Sequence, residues 1–346
     1  MRLERRRDVS AVLLLAAPLG AIVATLLVTS LLVAWAGAPV GRAYALLLEG
    51  GFGSRFAITE TLTRATPLIF TGLAAAVAFR ARLFNIGAEG QLYAGALAAV
   101  AVGGIDAPGW LLFPAMMAAA ALAGALLLLG PALLKSRLGV DEVVTTLLLN
   151  FIVLLVVSAL LDGAMKDPGA MGWPQSVALP DGLQLSRLIE RSRLHTGLLA
   201  ALALSLALWA LLQFTTLGFE IRAVGANPRA ARFAGMPVAA TVLKVALLSG
   251  ALAGLAGAVE VAGRTGYVTL DMSPGYGYSG IVIAMLAMLN PLGVVAAALF
   301  VAGMLVGADS MSRAVAVPTY IADVIVATSL IAMLVATMLT QYRIQR

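Results

Sequence analysis

Long apolar runs alternate with short polar breaks along the whole chain, near 11–36, 59–79, 86–104, 110–134, 142–161, 196–214, 240–262 and 318–340. Each approaches the ~20 residues that carry a helix across a bilayer, so eight spans are predicted. The region 278–309 is apolar too, but Asn290-Pro291 interrupts it, and proline removes a helix donor and clashes with the preceding turn. Two short spans or a broken re-entrant pair fit there. The expected fold is therefore an all-α polytopic membrane protein with about ten helices, in the range 8–10.

Two hydrophilic segments stand out, one near 162–195 and one near 215–239. A ten-span drawing puts them on opposite faces, the first outside and the second cytoplasmic, with both termini on one side. No linker or composition shift separates a second domain, so residues 1–346 read as a single transmembrane domain. Both halves pair a polar, glycine-containing helix entrance with small-residue helices, Asn85 to Gly95 early and Gly275 to Asn290 late. A five-plus-five inverted repeat is the expectation from that pairing.

Charge orients this drawing. The segments assigned to the cytoplasm hold thirteen basic residues: Arg2, Arg5, Arg6, Arg7, Arg80, Arg82, Lys135, Arg137, Arg222, Arg229, Arg232, Arg343 and Arg346. The opposite face holds eight, of which Lys166, Arg187, Arg191 and Arg193 sit in the long outer segment, where charge has less influence on orientation. Arg64 and Lys244 lie near span ends and can snorkel. The run from Ala11 to about Ala36 exceeds a secretory h-region of roughly 7–15 residues, so the first span is read as uncleaved, with its basic end inside.

Composition agrees: 61% of the residues are hydrophobic, 12% are charged and the mean hydropathy is +0.99, far too apolar for a soluble domain of this length. The net charge of +6 is spread in short caps between spans, which points to membrane topology and away from nucleic acid. With no cysteine, a disulfide framework and a thiolate metal site are both excluded.

Catalytic signatures are missing from the sequence. None of its lysines follows a glycine, so no Gly-Lys-Ser/Thr phosphate loop exists and any ATP-driven step needs another subunit. There is no His-Glu-x-x-His and no Gly-x-Ser-x-Gly, and the single histidine, His195, stands at the entrance to a span and reads as structural or interfacial. No catalytic residue, metal site or bound cofactor is assigned.

The strongest chemical signal is Phe84-Asn85-Ile86-Gly87-Ala88-Glu89-Gly90-Gln91. Carboxylates and amides at the head of an apolar segment are costly without partners and commonly face a bundle interior or a solute pathway. Asn85 and Glu89 share a helix face by their spacing, while Gln91 projects elsewhere. Asn85, Glu89, Gln91 and Asn150 are therefore the candidate pathway residues; the alternative for Glu89 is an interfacial charge balancing Arg80 and Arg82.

In the cytoplasmic segment, Leu217 to Ala226 reads as a turn and Asn227-Pro228 as the start of a short helix, with Asn as N-cap and Pro at N1. Gly235 and Pro237 end it. Arg222, Gly225, Asn227, Pro228, Arg229, Arg232 and Gly235 are candidates for a docking surface. The segment from Gly263 to Gly280 is rich in Gly and Tyr and reads as an outer-interface loop, with a solute gate as its sharper alternative. Gly250-Ala251-Leu252-Ala253-Gly254 supports close helix packing.

Taken together, these motifs resemble the permease subunits of ABC importers in the branched-chain amino-acid and simple-sugar superfamily, particularly the nucleoside type served by basic-membrane-protein-like lipoproteins. The landmarks are Phe84 to Gln91, Gly139-Val140-Asp141-Glu142-Val143-Val144-Thr145-Thr146-Leu147-Leu148-Leu149-Asn150-Phe151, and Arg222 to Pro228 continuing to Ala234-Gly235. Lys166-Asp167-Pro168, Arg193 to Gly197, Tyr278 to Ile281 and Asn290 to Gly293 agree as well.

The resemblance implies a type II importer subunit in a bacterial inner membrane, with both termini cytoplasmic. It implies a cytoplasmic ATPase partner that uses ATP and Mg, and a second homologous permease, as a heterodimer. An extracytoplasmic solute-binding lipoprotein or periplasmic protein completes the set. The implied solute is a nucleoside or related simple sugar; a monosaccharide or branched-chain amino acid is the alternative. A carrier driven by an ion gradient is the rival of another class, using carboxylates such as Glu89, Glu260, Asp309 and Asp323.

Overall fold

A computed structural model describes residues 2–5, 11–315 and 318–345. Its thirteen described α-helices are α1 (Ala11–Trp35), α2 (Val40–Phe52), α3 (Arg55–Arg80), α4 (Ala88–Gly103), α5 (Gly109–Leu138), α6 (Glu142–Asp162), α7 (Gly197–Phe214), α8 (Thr216–Ala226), α9 (Pro228–Phe233), α10 (Val238–Glu260), α11 (Tyr276–Leu286), α12 (Pro291–Val315) and α13 (Thr319–Gln341). Each of the ten predicted spans carries a helix.

Six of these helices are individually long and apolar enough to cross a membrane: α3, α5, α6, α7, α10 with its π-helical extension Val261–Thr265, and α12; counting α1 and α2 as one bent span gives seven. At about 1.5 Å per residue, α4 with 16 residues and α11 with 11 are too short to cross alone. The break predicted at Asn290-Pro291 separates α11 from α12. Helix α2 has no counterpart in the apolar pattern, because Arg42, Glu49 and Gly50-Gly51 interrupt it.

Two compact units make up the chain, Met1–Thr61 with Leu299–Arg346, and Leu62–Ala298. In the first, α1 turns by 114° into α2 through Gly37, whose φ of +76° suits glycine. The Thr29 and Tyr44 hydroxyls bond at 2.7 Å across that bend, and Tyr44 donates to the Leu26 carbonyl at 2.8 Å. Glycines Gly51, Gly303 and Gly307 let α2 and α12 approach backbone to backbone. Strands β1 (Arg2–Arg5) and β2 (Tyr342–Gln345) pair antiparallel. Of the predicted cytoplasmic cations, Arg6, Arg7 and Arg346 lie outside the described residues.

The second unit is built around α10. A Cβ on Gly254 would fall inside the contact radius of the Ala120 carbonyl oxygen on α5, one on Gly250 would meet Gly124, and one on Gly257 would meet the Leu92 carbonyl on α4. Small residues thus let three backbones close up, as expected of membrane helices. The outer segment lies on the end of this core: Ser176, Leu179 and Leu185 donate backbone N–H groups to Val268, Gly266 and Ala262 at 3.0, 2.8 and 2.8 Å.

His195 closes that contact, stacked on Gly197 and Gly263 and almost wholly buried. Its Nδ1 accepts from the Gly197 N–H at 3.2 Å, and burial pulls its pKa down to about 4. The ring is neutral at pH 7, and its contribution to docking, complete above the unfolded value near 6.5, is lost as pH falls through the folded value. His195 is therefore a packing residue of the outer segment.

The two polar segments supply a direct topology test. Gln184 and Ala226 are both exposed, and the chain has no native cysteine. Gln184→Cys is expected to react with an impermeant thiol reagent added outside intact cells. Ala226→Cys is expected to react only after the inner face is opened, and the reverse pattern would overturn the orientation.

Candidate functional site

Two of the sequence landmarks form one structure. Gly139 ends α5 in the left-handed conformation at φ +68°, and Asp141 caps α6 by accepting from the Val143 N–H at 2.8 Å. From there Glu142, Thr146 and Asn150 follow at i, i+4 and i+8, one buried face of α6.

Each member of that face holds backbone of the other landmark. Glu142 accepts from the Phe84 N–H at 3.1 Å and pairs with Lys135, whose ammonium also donates to the Arg82 carbonyl at 2.7 Å. Thr146 accepts from the Ile86 N–H at 3.1 Å. Asn150 accepts from the Gly90 N–H at 2.8 Å and donates to the Ile86 carbonyl at 2.8 Å and the Tyr278 hydroxyl at 3.1 Å. Gly90 is required at its position because a Cβ there would press on Asn150.

The structure corrects the expected arrangement of the remaining amides. Asn85 precedes α4, which starts at Ala88, so no helical face unites it with Glu89. It pairs instead with Gln91: each amide donates to the other at 2.9 Å. Asn85 also donates to Ser249 at 3.2 Å, which passes the bond to the Ala74 carbonyl at 2.8 Å. A flat, doubly bonded amide pair inside a membrane core satisfies groups that would otherwise be expensive.

Glu89 turns the other way, and its contacts exclude a balance with Arg80 and Arg82. One carboxylate oxygen accepts from the Gly277 N–H at 2.6 Å, and Gly275 N–H and the Ser273 hydroxyl also donate to the group. Glu89 sits in the first turn of α4 and accepts from the first turn of α11, so one side chain joins the N-terminal ends of two helices. Gly277 is needed because a Cβ there would collide with the Glu89 backbone.

This contact relocates the Gly- and Tyr-rich segment, which was expected at the outer interface. After Val268 it leaves the outer loop and runs inward: Tyr93 donates to the Leu270 carbonyl at 2.5 Å and accepts from the Ser273 N–H at 3.4 Å. Gly103 on the same helix packs against Leu179 of the outer segment. Ten residues of helix, about 15 Å, thus separate the Tyr93 level from the outer face, roughly half a hydrocarbon core of ~30 Å.

The cytoplasmic segment differs from expectation in its first part only. Leu217 to Ala226 lies in helix α8, capped by Thr215, which accepts from the Gly218 N–H at 3.1 Å. Asn227 caps α9 by accepting from Arg229 and Ala230 N–H at 3.0 and 3.2 Å, Pro228 is at N1, and Gly235 has a φ of +81° after it. Arg229, Arg232 and Phe233 are exposed, Phe233 at 96%. Gly225 and Arg222 face inward: a Cβ on Gly225 would overlap the Arg80 carbonyl oxygen, and Arg222 Nη1 is buried without a hydrogen-bond partner. Arg82 donates to the Ala226 carbonyl at 3.1 Å, which ties α8 to the loop leading into Asn85.

Helix α9 thus presents one exposed phenylalanine and two exposed arginines on a capped turn. Phe233→Cys is expected to crosslink to a cytoplasmic ATPase in the assembled transporter, and Arg229→Glu to lower solute-stimulated ATP hydrolysis several-fold with normal membrane insertion. Crosslinks only to lipid or to an extracytoplasmic protein would remove α9 from that role.

Known proteins share this sequence over most of its length. Guanosine ABC transporter permease protein NupP of Bacillus subtilis is 37% identical over 90% of this chain and 90% of its own. Glucose ABC transporter permease protein TsgB13 of Haloferax volcanii is 38% identical over 99% of this chain and 93% of its own. Nucleoside ABC transporter permease protein NupB of Lactococcus lactis subsp. cremoris is 33% identical over 78% and 77%. Residues 57–339, which include every bonded group described above in the second unit, match one family. The chain belongs to that family, the permease components of the branched-chain amino acid transport system.

Proposed function

We propose that this permease carries a nucleoside inward as one of two membrane subunits of an ATP-driven importer, in the bacterial inner membrane with both termini cytoplasmic. ATP and Mg bind a separate cytoplasmic ATPase, the second permease is a homologue in a heterodimer, and an extracytoplasmic lipoprotein or periplasmic protein delivers the solute. The observation that carries this reading is the unbroken line of bonds from exposed α9 through α8, Arg82, Lys135 and Glu142 to the Asn85–Gln91 pair, Asn150 and the head of α11. A displacement of α9 is passed along these bonds toward the heads of α4 and α11. Alternating access needs that mechanical connection and no bond chemistry in this chain.

Asn85, Glu89, Gln91 and Asn150 belong to the pathway as the layer that fixes its wall. Their polar atoms are bonded to each other, to backbone and to the Ser249, Ser273 and Tyr278 side chains, which fixes the wall. Glu89 and Glu260 are both engaged, Glu260 with Arg264 at 2.6 Å, which disfavours a proton-coupled carrier built on them.

The glucose permease relative gives a second reading, a monosaccharide. Uptake separates the two: deletion of this chain is expected to abolish entry of radiolabelled guanosine at sub-micromolar concentration and to leave glucose entry intact. Loss of glucose entry alone would select the sugar.

A further inference from the structure

The inward-running stretch Leu270–Tyr278 leaves two unlike groups uncovered at the level where α4 and α11 meet head to head. Asp271 is exposed, and so is Tyr278, at 38%. Both lie on backbone whose depth is fixed by the Tyr93 and Glu89 contacts, about 15 Å or more below the outer segment. Neither group belongs against lipid there. Irregular backbone at membrane depth is tolerated only where protein buries it or water reaches it, and an ionisable side chain at that depth faces a cavity or a partner.

Tyr278 is also fixed in direction. Its hydroxyl is held by Asn150, the same amide that clamps Ile86 and Gly90, so the ring is anchored at its polar end with a face left open. Pro274 and Met285 are exposed on either side of it in sequence, while Tyr276 and Gly277 between them are buried. An anchored aromatic side chain and an exposed carboxylate on the same short inward stretch suit a solute with one planar apolar face and several hydroxyl donors.

We infer that Asp271 and Tyr278 are the solute-contacting groups of this subunit, Tyr278 stacking on the base of a nucleoside and Asp271 accepting from its ribose hydroxyls. This rests on the nucleoside reading above, and Asn150 acts through Tyr278 as a positioning residue. Stacking of one base on an aromatic ring sets the expected scale, roughly tenfold or more in affinity.

The test uses the complete transporter, assembled with its ATPase, partner permease and binding protein. Asp271→Cys and Tyr278→Cys in the cysteine-free chain are expected to react with a water-soluble cationic methanethiosulfonate, at a rate that changes several-fold when ATP and vanadate are added. Leu155→Cys, on the exposed outer face of α6, is expected to stay unreactive. In radiolabelled guanosine uptake, Tyr278→Ala is expected to raise KM about tenfold while Tyr278→Phe stays within about threefold, and Asp271→Ala to erase the preference for guanosine over 2′,3′-dideoxyguanosine. Parental guanosine kinetics in Tyr278→Ala and Asp271→Ala, or no labelling at either position, would overturn the assignment. If the parent itself takes up no guanosine, the nucleoside reading falls, and labelling at both positions then still places them on the pathway for another solute.

Discussion

Glu89→Leu is expected to abolish solute transport. The leucine removes the acceptor for the Gly277 and Gly275 N–H groups and the Ser273 hydroxyl, and each buried donor left without a partner costs about 1–3 kcal/mol. It also removes the one side chain that joins the N-terminal ends of α4 and α11. The head of α11 then loses its side-chain anchor on α4 and is left with the Asn150–Tyr278 bond to α6 and the Thr71 bond to the Tyr276 carbonyl. Glu89→Gln separates this effect from misfolding, because the amide is nearly the same size and keeps one acceptor oxygen. It is expected to reach the membrane at the parental level and to transport measurably more slowly. Both variants transporting at the parental rate would show that α11 needs no anchor at Glu89.

Gly254→Val is expected to remove the protein from the membrane fraction altogether. Gly254 sits at the point where α10 meets Ala120 on α5, and the Gly95 position on α4 abuts its carbonyl from the other side. Backbone fills both directions, so a branched side chain cannot be relieved by a rotamer change. Overpacking of a well-packed core already costs about 1–3 kcal/mol where side chains can shift, and here whole helices have to part. Gly254→Ala is expected to survive with a lowered unfolding temperature in detergent. Gly130→Ala on α5, which meets nothing within 4 Å, is the matched control and is expected to be neutral. Normal accumulation of Gly254→Val would mean that α5 and α10 do not cross at these glycines.

Much of this arrangement is legible in the sequence, and the parts that are not have physical causes. The apolar runs locate the spans because a bilayer demands length, and Asn227-Pro228 locates the start of α9 because capping chemistry is local. Gly250 and Gly254 mark a crossing, although the alanine-rich background hides which helix they meet. Helix α2 escapes because its apolar run is broken by Arg42, Glu49 and paired glycines. The pairing of Asn85 with Gln91 is hidden by the i, i+4 spacing that puts Asn85 and Glu89 on one helix face, because α4 starts only at Ala88 and leaves Asn85 in the preceding loop. Glu89 reads as a candidate pathway residue with an interfacial charge as the alternative, and the sequence does not separate the two because its Gly277 partner is a backbone N–H 188 residues away, which leaves no trace in composition. The same is true of the inward path of 266–275: its glycines and tyrosines fit an interface equally well, and only Tyr93 and Gly277 reveal the depth. Asp271 was passed over for that reason. A charged residue beside Pro274-Gly275, ahead of a helix too short to span, was the available signal.

The most direct test of the account is the energy source. Proteoliposomes containing this chain, its partner permease and the ATPase, with binding protein supplied on the outer side, are expected to accumulate radiolabelled guanosine only with ATP on the ATPase side, and to keep doing so after an ionophore collapses all ion gradients. Accumulation driven by an imposed proton or sodium gradient, without ATP and without the ATPase subunit, would contradict it.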